Sequence, residues 1–322
     1  MAMAALILVL NCVSCKSLDF EQINESLQKD SVIKTTKGIR EDIKDKNNCP
    51  ENNNYMEPNS HKLFDTDAKF ICVLQNICFL KLEDEEFDIA IVDPDDCGLM
   101  KEQLEILHKD NKTLLAYLSI GEAEKYRDYW QEGWEVGCPA FLDEENPDWV
   151  GNYKVKYWDN EWQEIVFGRL DQIMERGYDG VYLDIIDAYK YYDGECADFA
   201  EEEMINFVIN ISKRAKAKYN NFLVVPQNAE ELVDKEDYLQ DIDGMGRENL
   251  WYIDNNLQDE DDLSYALNYL KKVIDADKFV LAISYTEEKD KKCSFIKMAK
   301  AHEFIPYVGR KELDTIETTV CD

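Results

Sequence analysis

The feature that most constrains the fold is an alternation. Eight short apolar runs recur along the chain: "FICVLQN" (70–76), "FDIAIVD" (87–93), "TLLAYLSIG" (113–121), "GVYLDIID" (180–187), "FLVVPQN" (222–228), "IDGMGRE" (242–248), "FVLAISYT" (279–286) and "EFIPYVG" (303–309). Runs this short and this apolar read as strands buried on both faces, as a parallel sheet requires. Helical patterns fill most of the gaps. Trp162, Ile165, Val166, Leu170 and Ile173 recur at helical spacing, with Gly177 where that helix should stop. Stretches 196–219 and 259–274 behave alike. Strand and helix in alternation predict an α/β chain closed as a single (β/α)8 TIM barrel over residues 62–322, a length that suits a fold of about 250 residues. An open doubly wound sheet is the competing fold, but no Gly-rich phosphate loop follows an early strand.

The residues before the barrel have another character. Residues 1–15 carry an apolar run that is too short to span a bilayer, which needs roughly 20 apolar residues. They read as a signal peptide, although the basic leading region is missing. Cys15, after Val13 and Ser14, fits a lipoprotein cleavage and lipidation site better than Cys12 does. Residues 16–61 are polar, end in "NNCPENNNYMEPNS", and read as a linker. The expectation is an exported protein, lipid-anchored or secreted, that meets a membrane only through such an anchor. Eight cysteines remain beyond Cys15, an even number that suits disulfides without fixing their pairing. Those eight contain no C-x-x-C pair and the three histidines are scattered, so neither a metal nor a cofactor is expected. The formal charge of -32 argues against nucleic acid as a partner and favours a cationic ligand, or it only solubilises the surface.

Side chains on a barrel strand alternate between the interior and the helix layer. In "GVYLDIID" the apolar Val181 and Leu183 face the helices, so Tyr182 and Asp184 point inward, Asp184 at the C-terminal rim. In "IDGMGRE", Gly244, Gly246 and Glu248 share one face and bring Glu248 to the same rim, while Arg247 alternates outward. Asp93, Glu122, Gln227 and Asn228 arrive there too. Tyr117, Ser119, Asp187, Glu230 and Tyr285 lie at or near strand ends with rim parity, and together with Asp93, Glu122, Gln227, Asn228 and Arg247 they are the expected substrate contacts. A carboxylate ring without histidines points to hydrolysis rather than to a metal. Glycoside hydrolysis needs only two carboxylates flanking the bond, and Asp184 and Glu248, one strand apart, can face each other across a cleft. Asp187 either caps the next turn or supports the site; Glu122 either lines the cleft or pairs with Arg127. The tryptophans of the long crossover, Trp130, Trp134, Trp149 and Trp158, either stack on sugar rings or belong to the core.

Taken together, "LAYLSIGEAEKYRDYW", "GYDGVYLDIIDAY", "VVPQNAEEL", "IDGMGRENLWY" and "FIPYVG" resemble the endo-α-1,4-polygalactosaminidase family, glycoside hydrolase family 114, over roughly residues 65 to 318. The resemblance implies a TIM barrel whose catalytic pair is an Asp ending strand four and a Glu ending strand six. It assigns those roles to Asp184 and Glu248, the residues that alternation selects. It also implies a polysaccharide substrate, a cationic amino-sugar polymer, and retaining chemistry. Arg247 departs from the Asn that stands before the catalytic Glu in characterised members, and marks a resemblance to a bacterial and archaeal branch. The competing expectation is a catalytically silent glycan-binding lipoprotein on the same barrel, against which both acids weigh by being present.

Overall fold

The computed structural model of the protein describes residues 63–321 apart from Asp193 and Asp254. The expected leader (1–15), the lipidation site Cys15 and the linker (16–61) lie outside the described residues. Each apolar run contains a strand: β1 Phe70–Val73, β2 Ile89–Val92, β3 Thr113–Ser119, β4 Gly180–Asp184, β5 Leu223–Pro226, β6 Gly244–Glu248, β7 Phe279–Ser284 and β8 Ile305–Val308. All ladders between them are parallel and run in two arcs, β1 to β5 and β6 to β8. The arcs join through a parallel bridge between Gln227 and Gly246, and the Asn228 amide donates to the Gly246 carbonyl at 2.8 Å. Across the other seam, the Phe70 and Tyr307 rings lie 5.7 Å apart. The Leu74 and Gln75 amides reach the Leu313 carbonyl at 2.8 and 3.1 Å.

The connections are helical, as the periodicity predicts: α1 Phe79–Asp84, α2 Lys101–Lys109, α3 Asn160–Arg176, α4 Ala197–Lys218, α5 Glu236–Asp241, α6 Glu260–Asp275 and α7 Lys289–Ala301. Strands β1, β2, β5 and β7 are buried along their whole length, because helices cover one face and the barrel interior the other. Helix α3 shows how the sequence sets its ends. Asp159 accepts from the Glu161 amide at its start, and Gly177 takes a left-handed φ of 100° at its end, a conformation that costs little without a Cβ. Its inner face buries Trp162, Val166, Leu170 and Ile173, and the Trp162 indole donates to the Ile120 carbonyl at 2.8 Å. Cys293 and Cys321 form a disulfide that ties α7 to the last residues.

The crossover between β3 and α3 is a small antiparallel sheet of Glu122–Glu124, Asn152–Val155 and Leu142–Glu145. Its rings pack on one another. Trp130 lies 5.2 Å from Trp134 and 5.0 Å from Tyr153, and Trp134 meets Phe141 edge-on at 5.4 Å. Trp158 packs against Tyr157, Tyr192 and Phe199. For Trp130, Trp134 and Trp158 the reading as packing is therefore the one the contacts favour. Arg127, almost fully buried, binds Glu124, Asp93 and Asp95 at 2.8 to 3.0 Å.

Candidate active site

Asp184 ends β4 and Glu248 ends β6. Ser119 and Asp184 are register partners across β3 and β4, as are Tyr117 and Tyr182 one step deeper. The Tyr117 hydroxyl donates to Asp184 Oδ2 at 2.7 Å and the Ile185 amide to Oδ1 at 2.8 Å. That second bond depends on an unusual backbone, since Ile185 has a φ of 59°. A β-branched residue in the left-handed region is strained by roughly 1–2 kcal/mol. Gly121 permits the same turn, because a Cβ there would lie 2.1 Å from the Ile185 carbonyl oxygen. Asn228, Ala229 and Asn249, which follow β5 and β6, are left-handed as well. Of these, Ile185 and Ala229 hold the left-handed region against their local preference beside the two acids.

Glu248 is held from the other side. The Tyr285 hydroxyl donates to its Oε1, Gln227 hydrogen-bonds its carboxylate, and Asn228 Oδ1 accepts from its amide at 3.2 Å. Alternation predicts an outward Arg247. Instead the half-buried guanidinium folds back over the rim, with Nε 3.2 Å from Glu230 and Nη1 donating to Asn228 Oδ1 and to the Glu248 carbonyl. The left-handed pair Asn228 and Ala229 turns the chain after β5 so that Glu230 meets this side chain. Arg247 thus binds Glu230 and not the Glu248 carboxylate.

Burial dominates the electrostatics of the pair. It raises Asp184 from an ordinary 3.8 to about 7, with the Glu248 charge adding to the rise and the Tyr117 and Ile185 hydrogen bonds opposing it. Burial also raises Glu248, against the Tyr285 and Gln227 hydrogen bonds and the Arg247 charge. Two carboxyls that feel each other titrate as a unit. Burial thus raises the proton affinity of both groups, and the charge of Glu248 adds to the rise at Asp184.

The other expected rim residues divide by what binds them. Asp93 accepts from Arg127 Nη1 at 2.8 Å and from the Asp95 amide at 2.9 Å. Glu122, fully buried, accepts from Asn146, Asn152 and the Tyr191 hydroxyl, and not from Arg127, whose partner on that strand is Glu124. Ser119 donates to the Glu122 carbonyl at 3.0 Å. Asp187 is half-buried in the turn after β4, and no side chain or amide hydrogen-bonds its carboxylate among the described residues. Its charge nevertheless acts on both Asp184 and Glu248. A cavity of about 820 Å³ lined by Pro94, Leu99, Tyr126 and Gln172, among others, contains none of these residues. Tyr191 and Tyr182 are site residues that sequence reasoning did not assign. Tyr191 follows "DAYK" without a periodic signal, whereas the inward parity of Tyr182 was available.

The sequence matches the family described as "Glycoside-hydrolase family GH114" over residues 50–322. An uncharacterized protein of Methanocaldococcus jannaschii is 35% identical over 299 residues, covering 85% of this chain and 85% of its own. The glycoside hydrolase domain of PelA from Pseudomonas aeruginosa aligns with a TM-score of 0.65 at 14% identity, covering 78% of this chain and 98% of that one. Ega3 from Aspergillus fumigatus, solved in complex with galactosamine, aligns with a TM-score of 0.63 at 18% identity, covering 79% and 96%. At these identities the structural likeness establishes the fold.

Proposed function

Because the chain belongs to glycoside-hydrolase family GH114, we propose that it cleaves an α-1,4-linked galactosamine-type polysaccharide outside the cytoplasm, with Asp184 and Glu248 as its catalytic pair. The observation that carries this reading is the pair of half-buried carboxyls at the ends of β4 and β6, each held by a tyrosine hydroxyl and each raised in proton affinity by its site. Asp184 attacks the anomeric carbon as its carboxylate. Glu248, entering the step protonated, gives its proton to the leaving glycosidic oxygen as the C–O bond breaks. A water then enters, Glu248 takes its proton, and the hydroxide oxygen displaces Asp184, regenerating both groups. Tyr117 steadies the Asp184 carboxylate throughout. Two displacements at one carbon retain the anomeric configuration.

The substrate class follows from the family resemblance and from the free carboxylate of Asp187 beside the pair, which suits a sugar ammonium. Export is supported by the reading of residues 1–15 as a leader, with Cys15 lipidated and 16–61 as a tether. The Cys293–Cys321 disulfide fits an oxidising compartment. The test is digestion of a partly deacetylated α-1,4-galactosamine oligomer followed by proton NMR. Wild type should release the α-anomer first, and Asp184→Asn and Glu248→Gln should each lose at least about 100-fold in rate. A first-formed β-anomer would overturn retention. Full activity in either variant would overturn the pair, and inertness of the wild type toward this oligomer the substrate.

A further inference from the structure

Tyr182 precedes Asp184 by two residues on β4, and Gly246 precedes Glu248 by two on β6. Both therefore point where the acids point, one step deeper in the barrel. The Tyr182 side chain is 1% exposed, and its hydroxyl has no hydrogen-bond partner among the described residues. A buried phenol normally finds one. This one ends against Gly246 instead: a Cβ on Gly246 would lie 2.0 Å from Tyr182 Oη and 2.5 Å from two ring carbons. Strands β4 and β6 share no ladder, and β6 reaches β5 through the isolated bridge at Gln227. Backbone bonds from the Asp243 amide to the Val224 carbonyl at 2.9 Å and from the Asn228 amide to the Gly246 carbonyl at 2.8 Å tie β6 to β5 at its two ends, and no ladder spans the strand between them.

We propose that Tyr182 is a positioning residue: its ring, reaching from β4 to the backbone of Gly246 on β6, sets the spacing at which Asp184 and Glu248 face each other. The unpartnered hydroxyl is consistent with a role in reach rather than in hydrogen bonding. The glycine opposite is then the seat of a spacer and not a flexible point, since its neighbours leave no room for any side chain. The kinetic part of the test rests on the glycosidase reading above, and the titration part does not.

The experiment measures kcat and KM on the galactosamine oligomer, and the carboxyl titration of Asp184 by carbon-13 NMR in the substrate-free protein. Asp184 is faced by Tyr117 from β3, Tyr182 on its own strand, Glu248 from β6, and Asp187 and Tyr191 from the turn after β4; Cys72 on β1 also feels its charge. Of these, only the Glu248 distance should respond strongly to the spacer. Gly246→Ala crowds the spacer and parts the strands, so the Asp184 midpoint falls and kcat drops at least 30-fold while KM changes less than threefold. Adding Tyr182→Phe removes the closest clash, so the double variant regains at least fivefold in kcat and part of the midpoint. Tyr182→Phe alone lowers kcat severalfold without lowering Tm. Should Gly246→Ala not fold, Tyr182→Leu empties the space instead, drawing the acids together and raising the midpoint. A wild-type midpoint in Gly246→Ala, or a double variant no better than Gly246→Ala in either readout, would overturn the proposal. So would an unmoved midpoint in Tyr182→Leu. If wild type does not hydrolyse the oligomer, the substrate reading fails and the titration still decides the spacer.

Discussion

Replacing Asp184 by Asn should stabilise the protein increasingly as pH rises above about 4, with the full gain above pH 7. Burial and the Glu248 charge raise the Asp184 pKa from 3.8 to about 7. The folded state therefore binds this proton roughly a thousandfold more tightly than the unfolded chain does. At about 1.4 kcal/mol per tenfold, the ceiling is about 4 kcal/mol. The sign follows from linkage. Below about pH 4 both states hold the proton and the side chain adds no pH-dependent penalty. Between pH 4 and 7 the unfolded state releases its proton first, so stability declines. At pH 8 the folded protein carries the full cost of an ionised, buried carboxylate. An Asn pays none of it, and its removal of one charge also eases Glu248. Because Asp184 is only partly buried by its surface area and the site can relax, about half the ceiling, roughly 2 kcal/mol, is a realistic gain. For a domain of this size that corresponds to a Tm increase of roughly 4–8 °C at pH 8, with a change near zero at pH 4. Scanning calorimetry at both pH values measures it. Glu105→Gln, on the exposed face of α2, removes the same formal charge and serves as the control for net-charge relief. A Tm gain equal at pH 4 and pH 8, or equal to that of the control, would refute the reasoning that Asp184 is destabilised by its own site.

Three further outcomes are expected. Tyr117→Phe removes a hydrogen bond that favours the ionised Asp184, so the Asp184 titration should move above its wild-type midpoint; a fall would contradict the assigned contact. Arg127→Ala leaves Glu124, Asp93 and Asp95 without their buried counter-ion and should cost about 3–5 kcal/mol in chemical denaturation, where a loss below about 1 kcal/mol would show the cluster to be hydrated. Asp187→Asn should weaken binding of a deacetylated galactosamine oligomer by roughly 3- to 10-fold at low salt and leave the acetylated oligomer unaffected, as measured by calorimetric titration; equal effects on both would remove Asp187 from ammonium recognition.

The barrel and the acid pair were legible because both depend on short-period rules. Strand parity alone turns Asp184 and Glu248 inward, and the same parity brings Tyr117 and Tyr285 onto them. What parity does not reach is the irregular backbone between elements. The left-handed turn at Ile185 has no sequence signature, since isoleucine is among the residues least suited to it. Arg247 escaped the alternation rule because its side chain is long enough to return to the rim once Glu230 is there to receive it. The donors to Glu122 come from an antiparallel sheet inserted into a parallel fold. Its pairing of Glu122 with Lys154 and Glu124 with Asn152 depends on loops that carry no period. The tryptophans illustrate a further ambiguity: an aromatic residue in a long loop has the same sequence appearance whether it covers a sugar or covers its neighbours.

If the substrate is the cationic polymer proposed above, the net charge of -32 would attract it only through acids left uncompensated, and the site's own partners compensate most of them. Asp93 is neutralised by Arg127 and Glu230 by Arg247. Glu122 is sealed by three neutral donors, and Lys154 lies over the Tyr191 ring that caps it, with Nζ 4.6 Å from the ring centre. The Asp184 and Glu248 carboxyls are both raised in proton affinity by burial, which weakens the negative charge they present. Distant surface acids are screened beyond roughly 10 Å at 0.1 M salt. Of the rim acids selected from sequence as substrate contacts, Asp187 is the one left without a hydrogen bond or counter-ion among the described residues. On the substrate proposed above, recognition of an ammonium would therefore rest on one carboxylate placed beside the pair, and the acidity of the whole chain would contribute to it only through a weak, salt-sensitive background field.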